Sequence, residues 1–260
     1  MLQVEYAELS DAGPVRPHNE DCMGHFAPPS SVEARSHGWL FVLADGVGGQ
    51  EHGEVASRLA VNAAVREFAA APGGENLSAV LTRAVQKANT EVYAAGHGSI
   101  ATTLVACALR YDRAAIAHVG DSRCYLLRRG RLHQLTRDHT VSGDKARIGL
   151  LSQREAASAS KKNVLSRSLG INLFVSAESS EHEVQAGDTL LLCSDGLHGP
   201  VKEKELGRIA TASHDLQAVA RKLVEVANQL DGGDNVSVQL IRILDIERVG
   251  MYRGRPYRLR

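Results

Sequence analysis

Residues 39–46, Trp39-Leu40-Phe41-Val42-Leu43-Ala44-Asp45-Gly46, place a carboxylate directly after six apolar residues. A short run that is apolar at every position predicts a buried strand. The same design recurs at residues 189–196, where Thr189-Leu190-Leu191-Leu192-Cys193 leads into Ser194-Asp195-Gly196. The chain therefore ends two of its most hydrophobic strands on an acid followed by glycine.

Two further acids flank strand-like segments, Asp121 at the end of residues 118–122 and Asp234 at the start of residues 232–236. Carboxylates gathered at the edge of an apolar core repel one another and lose hydration unless a cation neutralises them. The chain has no H-E-x-x-H or C-x-x-C motif, and oxygen ligands alone favour Mg²⁺ or Mn²⁺ over zinc. A single Asp-Gly is better explained as an ordinary β-turn; the repetition after apolar strands favours a metal site.

Length and composition predict one soluble domain. The 260 residues are 43% hydrophobic and 23% charged, with 30 basic and 30 acidic residues, so no overall charge attracts nucleic acid or a membrane surface. There is no signal-peptide pattern and no apolar run near the ~20 residues that span a bilayer. We expect a cytoplasmic protein that binds no nucleic acid and has no membrane span. The four cysteines are scattered singly, which is typical of reduced core thiols.

Hydrophobic periodicity predicts the remaining elements. We expect strands at residues 2–9, 22–26 and 236–240, an antiparallel meander over residues 102–135, and helices at 54–70, 77–92 (behind Asn76) and 216–230. Residues 141–162 are polar, with a capping-box pattern at Ser152 and Glu155. Basic residues prevail after Leu244, so we expect a domain over residues 1–244 and a basic C-terminal tail or linker over 245–260.

Seven motifs occur in the order found in one enzyme family. They are Arg16-Pro17-His18-Asn19-Glu20-Asp21, Asp45-Gly46-Val47-Gly48-Gly49, Ala101-Thr102-Thr103-Leu104, Gly120-Asp121-Ser122-Arg123, Asp138-His139-Thr140, Ser194-Asp195-Gly196 and Asp234-Asn235. Over about residues 3–243 the chain resembles the bacterial members of the metal-dependent Ser/Thr protein phosphatases of type 2C (PPM). The resemblance implies an α+β fold, a four-layer α-β-β-α sandwich of two mainly antiparallel sheets flanked by helices.

The resemblance also implies a centre of two Mn²⁺ or Mg²⁺ ions. Asp45 would bridge the ions, the Gly46 carbonyl would bind one, and Asp195 and Asp234 would bind the other. Glu20 would act through a bound water and Asp21 would support the ligands from behind. A third, weaker metal would use Asp121 with Asp195, beside a flap matching residues 141–162.

Two divalent ions about 4 Å apart can hold a bridging hydroxide in line with a phosphorus atom, so direct attack needs no covalent enzyme intermediate. Arg16 offers a planar, permanently charged fork that suits the phosphoryl oxygens; the alternative is a solvated surface arginine. We expect Thr102 and Thr103 to support the site rather than act as nucleophiles. A buried structural role for His139 is favoured over a catalytic one.

One position departs from the eukaryotic pattern. Val47 occupies the place of a histidine that is proposed, in those relatives, to protonate the leaving alkoxide. The general acid is therefore open, and a metal-bound water is the preferred substitute. Several bacterial members also lack this histidine, so the change does not imply loss of activity.

The resulting hypothesis is a monomeric protein phosphatase acting on phosphoserine and phosphothreonine, opposing a bacterial Ser/Thr kinase. One alternative is a pseudophosphatase that uses the fold to bind a partner, although Asp45, Asp195 and Asp234 are all retained. Another is a metal-dependent hydrolase of small phosphate esters.

Overall fold

The computed structural model describes residues 2–47, 52–152, 155, 164–246, 249–252 and 255–258, the last two ranges by their backbone only. The strands of these residues are β1 (Gln3–Asp11), β2 (Asp21–Phe26), β3 (Trp39–Asp45), β4 (Leu104–Arg110), β5 (Arg113–Val119), β6 (Arg123–Arg128), β7 (Arg131–Gln134), β8 (Glu178–Glu183), β9 (Thr189–Cys193), β10 (Val236–Asp245), β11 (Val249–Tyr252) and β12 (Arg255–Arg258). The helices are α1 (Ser31–Ser36), α2 (Gly53–Ala70), α3 (Leu77–Gly96), α4 (Val141–Arg147), α5 (Asp195–His198), α6 (Glu203–Ala210) and α7 (Leu216–Leu230).

Strand β3 is apolar from Trp39 to Ala44 because both of its faces are covered. Leu40, Val42 and Ala44 pack in one cluster with the apolar faces of α2 and α3. Phe41 and Leu43 point the other way, into the core between the two sheets. Full burial of a side chain such as Phe41 contributes about 1.5–3 kcal/mol. The alternation of side chains along a strand thus places β3 in the middle of a layered structure.

Two five-stranded antiparallel sheets form the sandwich. Their strand orders are β2-β3-β4-β5-β8 and β1-β10-β9-β6-β7. Helices α2 and α3 cover the first sheet, and α6 and α7 cover the second. The four-layer α-β-β-α sandwich implied by the resemblance is confirmed.

The predicted single meander over residues 102–135 is wrong. Strands β4 and β5 belong to the first sheet, whereas β6 and β7 belong to the second. The chain crosses between the sheets at Gly120, whose φ is +103°, a conformation that favours glycine. A Cβ on Gly120 would also lie 2.6 Å from Cγ2 of Thr103. Local β patterning was correct, but it does not specify which sheet each strand joins.

Several elements had weak sequence signals. Strand β8, Glu-Ser-Ser-Glu-His-Glu, carries no large apolar residue because it is an edge strand of the first sheet. Helix α1 has six residues and begins at the N-cap Ser30, whose side chain accepts a hydrogen bond from the Glu33 amide. Helix α3 was predicted correctly behind Asn76, which accepts from the Ala79 amide.

Parts of the predicted flap and tail are described. Helix α4 forms the start of residues 141–162, and Ser152 and Glu155 make the reciprocal bonds of a capping box; residues 153–154 and 156–163 lie outside the described residues. In the predicted tail, β11 and β12 pair with each other.

The helices described include none that is long and apolar enough to cross a membrane. All four cysteines are free thiols, as expected.

Candidate metal centre

Acidic residues from distant parts of the chain meet at one end of the sandwich. Asp21 and Asp45 face each other in the register of β2 and β3. Asp195 follows β9 and Asp234 precedes β10, and these two strands are neighbours in the other sheet. The carboxyl groups of Asp45 and Asp195 are close enough to share a hydrogen bond. The two sheets therefore contribute to one carboxyl cluster.

The cluster is electrostatically unfavourable on its own. Desolvation and the charges of Asp21 and Asp195 raise the pKa of Asp45 well above its usual range. Desolvation, followed by repulsion from other acids, also raises the pKa of Asp21 to about 7 and that of Asp195 to about 6. Such shifts mark a site that binds protons or cations strongly.

The donor set fits hard divalent cations. Oδ2 of Asp21 accepts a hydrogen bond from Ser194 at 2.8 Å. Oδ1 of Asp21 is buried and has no hydrogen-bond partner among the described residues. Several carboxylates crowded together are what an oxygen-coordinated Mg²⁺ or Mn²⁺ would neutralise.

Asp121 is brought to the same end of the molecule. Desolvation, with repulsion from Asp195 as the next cause, raises its pKa to about 8. His198, at the end of α5, donates from Nε2 to the Asp121 carbonyl at 2.9 Å. This bond fixes the loop that carries Asp121 relative to the helix that starts with Asp195. The predicted third-metal pair is thus adjacent, although its binding of a metal stays a prediction.

Gly46 and Glu20 lie where α2 begins. The Gly46 amide donates to the Glu20 carbonyl at 3.1 Å. A Cβ on Gly46 would be 2.5 Å from the Gly53 carbonyl oxygen, so only glycine fits at this position. Oε2 of Glu20 lies 2.9 Å from the position of a Cβ on Gly53, which places its carboxylate at the N-terminus of α2. Desolvation raises the pKa of Glu20, while the charge of Arg16 opposes that shift.

Arg16 contacts the carboxyl cluster directly. Its Nη2 lies 3.1 Å from Oδ2 and 3.0 Å from Oδ1 of Asp234, and its Nε donates to the Gly233 carbonyl at 3.1 Å. The side chain is still 40% exposed. Arg16 therefore stands at the solvent edge of the cluster. A cavity of roughly 190 Å³ lies between α5, which begins at Asp195, and the loop that carries Asp234.

Buried hydroxyls hold the end of β3 in place. Thr102 Oγ1 donates to the Asp45 carbonyl at 2.7 Å, and the Asp45 amide donates to Thr103 Oγ1 at 3.0 Å. Thr103 also shares a hydrogen bond of 2.7 Å with Ser122. These hydroxyls are engaged with the backbone and with each other, which agrees with the expected supporting role.

His139 is fully buried and part of the same support. Its Nδ1 accepts a hydrogen bond from the Gly120 amide at 3.2 Å, next to Asp121. Burial lowers its pKa to about 4, so the ring is neutral. His139, His118 and Glu178 lie close enough to suggest a second metal site. Two guanidinium groups disfavour a cation at this place, because Arg137 forms an ion pair with Glu178 and Arg167 Nη1 lies 3.4 Å from Nε2 of His139.

Sequence reasoning gave Asn235 no role, yet it is among the most connected side chains near the centre. Its Nδ2 donates to the carbonyls of Ala12 and His18, and its Oδ1 accepts from the Glu20 amide. An asparagine beside a metal-ligand candidate is not by itself a signal, because its partners are far away in the chain.

Comparisons with known proteins agree with this architecture. A family model described as Protein phosphatase 2C matches residues 25–245. The chain is 36% identical over 254 residues to the serine/threonine phosphatase stp of Listeria innocua, covering 95% of this chain and 96% of that protein. It is also 36% identical over 251 residues to the serine/threonine protein phosphatase PstP of Mycobacterium tuberculosis, covering 95% of this chain but 46% of PstP.

The fold comparison is equally extensive. A crystal structure of the catalytic domain of serine threonine protein phosphatase PstP in complex with two manganese ions matches with a TM-score of 0.80 and 34% identity. The match covers 94% of this chain and 100% of that one. The matched sequence, the two-sheet sandwich and the acids at its end lead to one conclusion: the chain belongs to the protein phosphatase 2C family.

Proposed function

We propose that this protein hydrolyses phosphoserine and phosphothreonine in protein substrates by direct attack of water. Membership of the protein phosphatase 2C family makes it a phosphoric monoester hydrolase. The observation that carries the proposal is the convergence of Asp45, Asp195 and Asp234 at one end of the sandwich, with the Arg16 guanidinium against one of them.

The proposed ligands are the residues that the resemblance implies, and the convergence of their side chains supports them. Asp45, the Gly46 carbonyl, Asp195 and Asp234 would hold two divalent ions, with Glu20 acting through water, Asp21 supporting from behind and Asp121 serving a third ion. The two manganese ions in the related PstP structure support this assignment. When bound, a pair of divalent ions would lower the pKa of a shared water to near neutrality and so supply the hydroxide nucleophile.

The chain's own residues supply binding and rigidity. Arg16 would hold the phosphoryl oxygens through paired, charge-assisted hydrogen bonds, and its exposure at the cluster edge leaves it accessible to a substrate. Thr102 and Thr103 fix the backbone of Asp45, so the ligand needs little rearrangement before reaction. Because both hydroxyls are already engaged, direct attack by water is favoured over a covalent enzyme intermediate.

The leaving alkoxide needs a proton, and the residue after Gly46 does not provide one. Val47 is apolar, and its amide donates to the Ala101 carbonyl at 3.0 Å. We therefore propose water as the general acid. Loss of a positioned acid affects poor leaving groups most, so turnover should depend strongly on the pKa of the departing alcohol. Rates across a series of aryl phosphates test this.

The direct test uses purified protein with Mn²⁺ and a phosphothreonine peptide. We expect turnover that EDTA abolishes and that Asp45→Asn, a nearly isosteric change, reduces below detection. Asp215→Asn, which alters the exposed N-cap of α7, is the matched control and should retain activity. Turnover that persists in EDTA would refute the metal mechanism.

The same assay separates the alternatives. A protein that binds Mn²⁺ in calorimetry but hydrolyses no phosphate ester would be a pseudophosphatase. A preference for small phosphate metabolites over phosphopeptides, measured as kcat/KM, would indicate a metal-dependent hydrolase of small phosphate esters. We further propose that the substrates are targets of a Ser/Thr kinase and that the enzyme is a monomer; phosphoproteomics of a strain lacking the gene and size-exclusion chromatography test these points.

A further inference from the structure

Asn235 lies between the proposed metal ligand Asp234 and strand β10, and its side chain bonds to the segment that carries Arg16. This arm, residues 12–20, has turns but no helix or strand of its own. Asn235 donates from Nδ2 to the carbonyls of Ala12 and His18, both at 3.0 Å, and accepts the Glu20 amide at 2.8 Å. The side chain thus contacts both ends of the arm. Only 6% of the residue is exposed to solvent.

We propose that Asn235 is a positioning residue that holds Arg16 where it can receive the phosphoryl group. A primary amide offers two donors and an acceptor on one planar group, which is what two carbonyls and one amide require. Aspartate has no donor for the carbonyls of Ala12 and His18. Alanine leaves all three backbone groups without this partner. The inference rests on the proposed function in one respect, that Arg16 binds phosphate.

The structure separates this role from the orientation of the proposed metal ligand Asp234. The backbone amide of Asn235, not its side chain, donates to Oδ1 of Asp234 at 3.0 Å. A change of the Asn235 side chain therefore keeps the bond that orients Asp234 while it releases the arm. Phosphate affinity and metal affinity should respond differently to the same substitution.

The chain offers a closely matched control in Asn89. This buried residue donates from Nδ2 to the carbonyls of Asn172 and Leu173 and accepts the Gly170 amide, at 2.9–3.0 Å. It makes the same three kinds of bond as Asn235, but to a loop packed against α3. The loss of stability caused by removing these bonds should therefore be similar in Asn89→Ala and Asn235→Ala.

The experiment titrates inorganic phosphate into the Mn²⁺-loaded full chain by calorimetry. We expect Asn235→Ala and Asn235→Asp to weaken phosphate binding about 10-fold or more, since small displacements of a clamp are costly. Mn²⁺ affinity should stay within about 3-fold, and Asn89→Ala should leave phosphate binding unchanged. In phosphopeptide turnover, the Asn235 variants should raise KM more than they lower kcat.

Hydrogen exchange and a double mutant complete the test. The Glu20 amide should exchange faster in Asn235→Ala but not in Asn89→Ala. In an Arg16→Ala background, Asn235→Ala should weaken phosphate binding no further. A folded Asn235→Ala or Asn235→Asp variant with wild-type phosphate affinity would overturn the inference. An equal loss of phosphate affinity in Asn89→Ala would also overturn it. Wild-type protein that binds phosphate without turning over a phosphopeptide would instead refute the proposed function and leave the positioning role intact.

Discussion

Asp195→Asn should make the protein more stable in EDTA at pH 8, although it removes a proposed metal ligand. The reason is the desolvation of the Asp195 carboxyl and its repulsion by Asp234. Asparagine is nearly isosteric and keeps an oxygen that can accept a hydrogen bond from the Gly196 amide. The substitution therefore removes an unfavourable charge and leaves the local packing in place.

The magnitude follows from the pKa. The Asp195 carboxyl titrates near 6 in the folded protein, against 3.8 without perturbation. Because the folded state binds this proton more tightly, the charge begins to destabilise the fold above pH 3.8, and its full cost is reached above pH 6. The difference corresponds to about 3 kcal/mol. Asp195 keeps some contact with solvent, so screening reduces the expected gain to roughly 1–3 kcal/mol.

Urea unfolding in EDTA at pH 8 and pH 4 measures this effect. Asp195→Asn should raise the free energy of unfolding at pH 8, and the difference from wild type should become small at pH 4. Added Mn²⁺ should stabilise wild type by mass action and the variant much less. The control is Asp188→Asn, which removes a buried carboxylate only 2.6 Å from Arg128 Nη2 and should destabilise at pH 8. Equal destabilisation by Asp195→Asn at both pH values would refute the repulsive-cluster argument.

Three further predictions concern the support of the centre. Gly46→Ala should lower the free energy of unfolding by about 1–3 kcal/mol and weaken Mn²⁺ binding, because its Cβ would lie 2.5 Å from the Gly53 carbonyl oxygen; a variant with wild-type calorimetric affinity would contradict this. Thr103→Val removes the acceptor of the Asp45 amide and should cost about 1–3 kcal/mol in urea unfolding. The pKa of His139 is about 4 in the folded protein against 6.5 without perturbation, so stability should fall by up to about 3 kcal/mol between pH 6.5 and pH 4. His139→Gln should flatten this pH dependence; an unchanged profile would assign it to other groups.

The central elements were predictable because their signals are local. Strand β3 is apolar at each position that both neighbouring layers cover, and α7 shows the spacing of a helix with one buried face. Strand β8 was not predictable, since an edge strand with alternating exposure can be built from Ser, Glu and His. The crossing at Gly120 was missed because sheet membership depends on contacts distant in sequence.

The candidate site was likewise predictable only in part. The sequence alone placed Asp45, Asp121, Asp195 and Asp234 at the ends of strands, and the resemblance added Glu20, Asp21 and Arg16. The raised pKa values of Asp45, Asp121 and Asp195 could not be derived from the sequence, because desolvation and repulsion depend on which side chains share the space. The role of Asn235 was hidden for the same reason.

By itself, the sequence determined the secondary structure of the core and the chemical type of the site, since apolar periodicity and acid-glycine strand ends are properties of neighbouring residues. Only the tertiary structure decided which carboxylates meet, how strongly they repel and what holds Arg16 beside them. Asn235 bonds to carbonyls 217 and 223 residues earlier in the chain. Contacts at that separation exist only in the folded chain, because the antiparallel pairing of β1 with β10 brings Ala12 beside Asn235 and the arm then runs on to β2 in the other sheet.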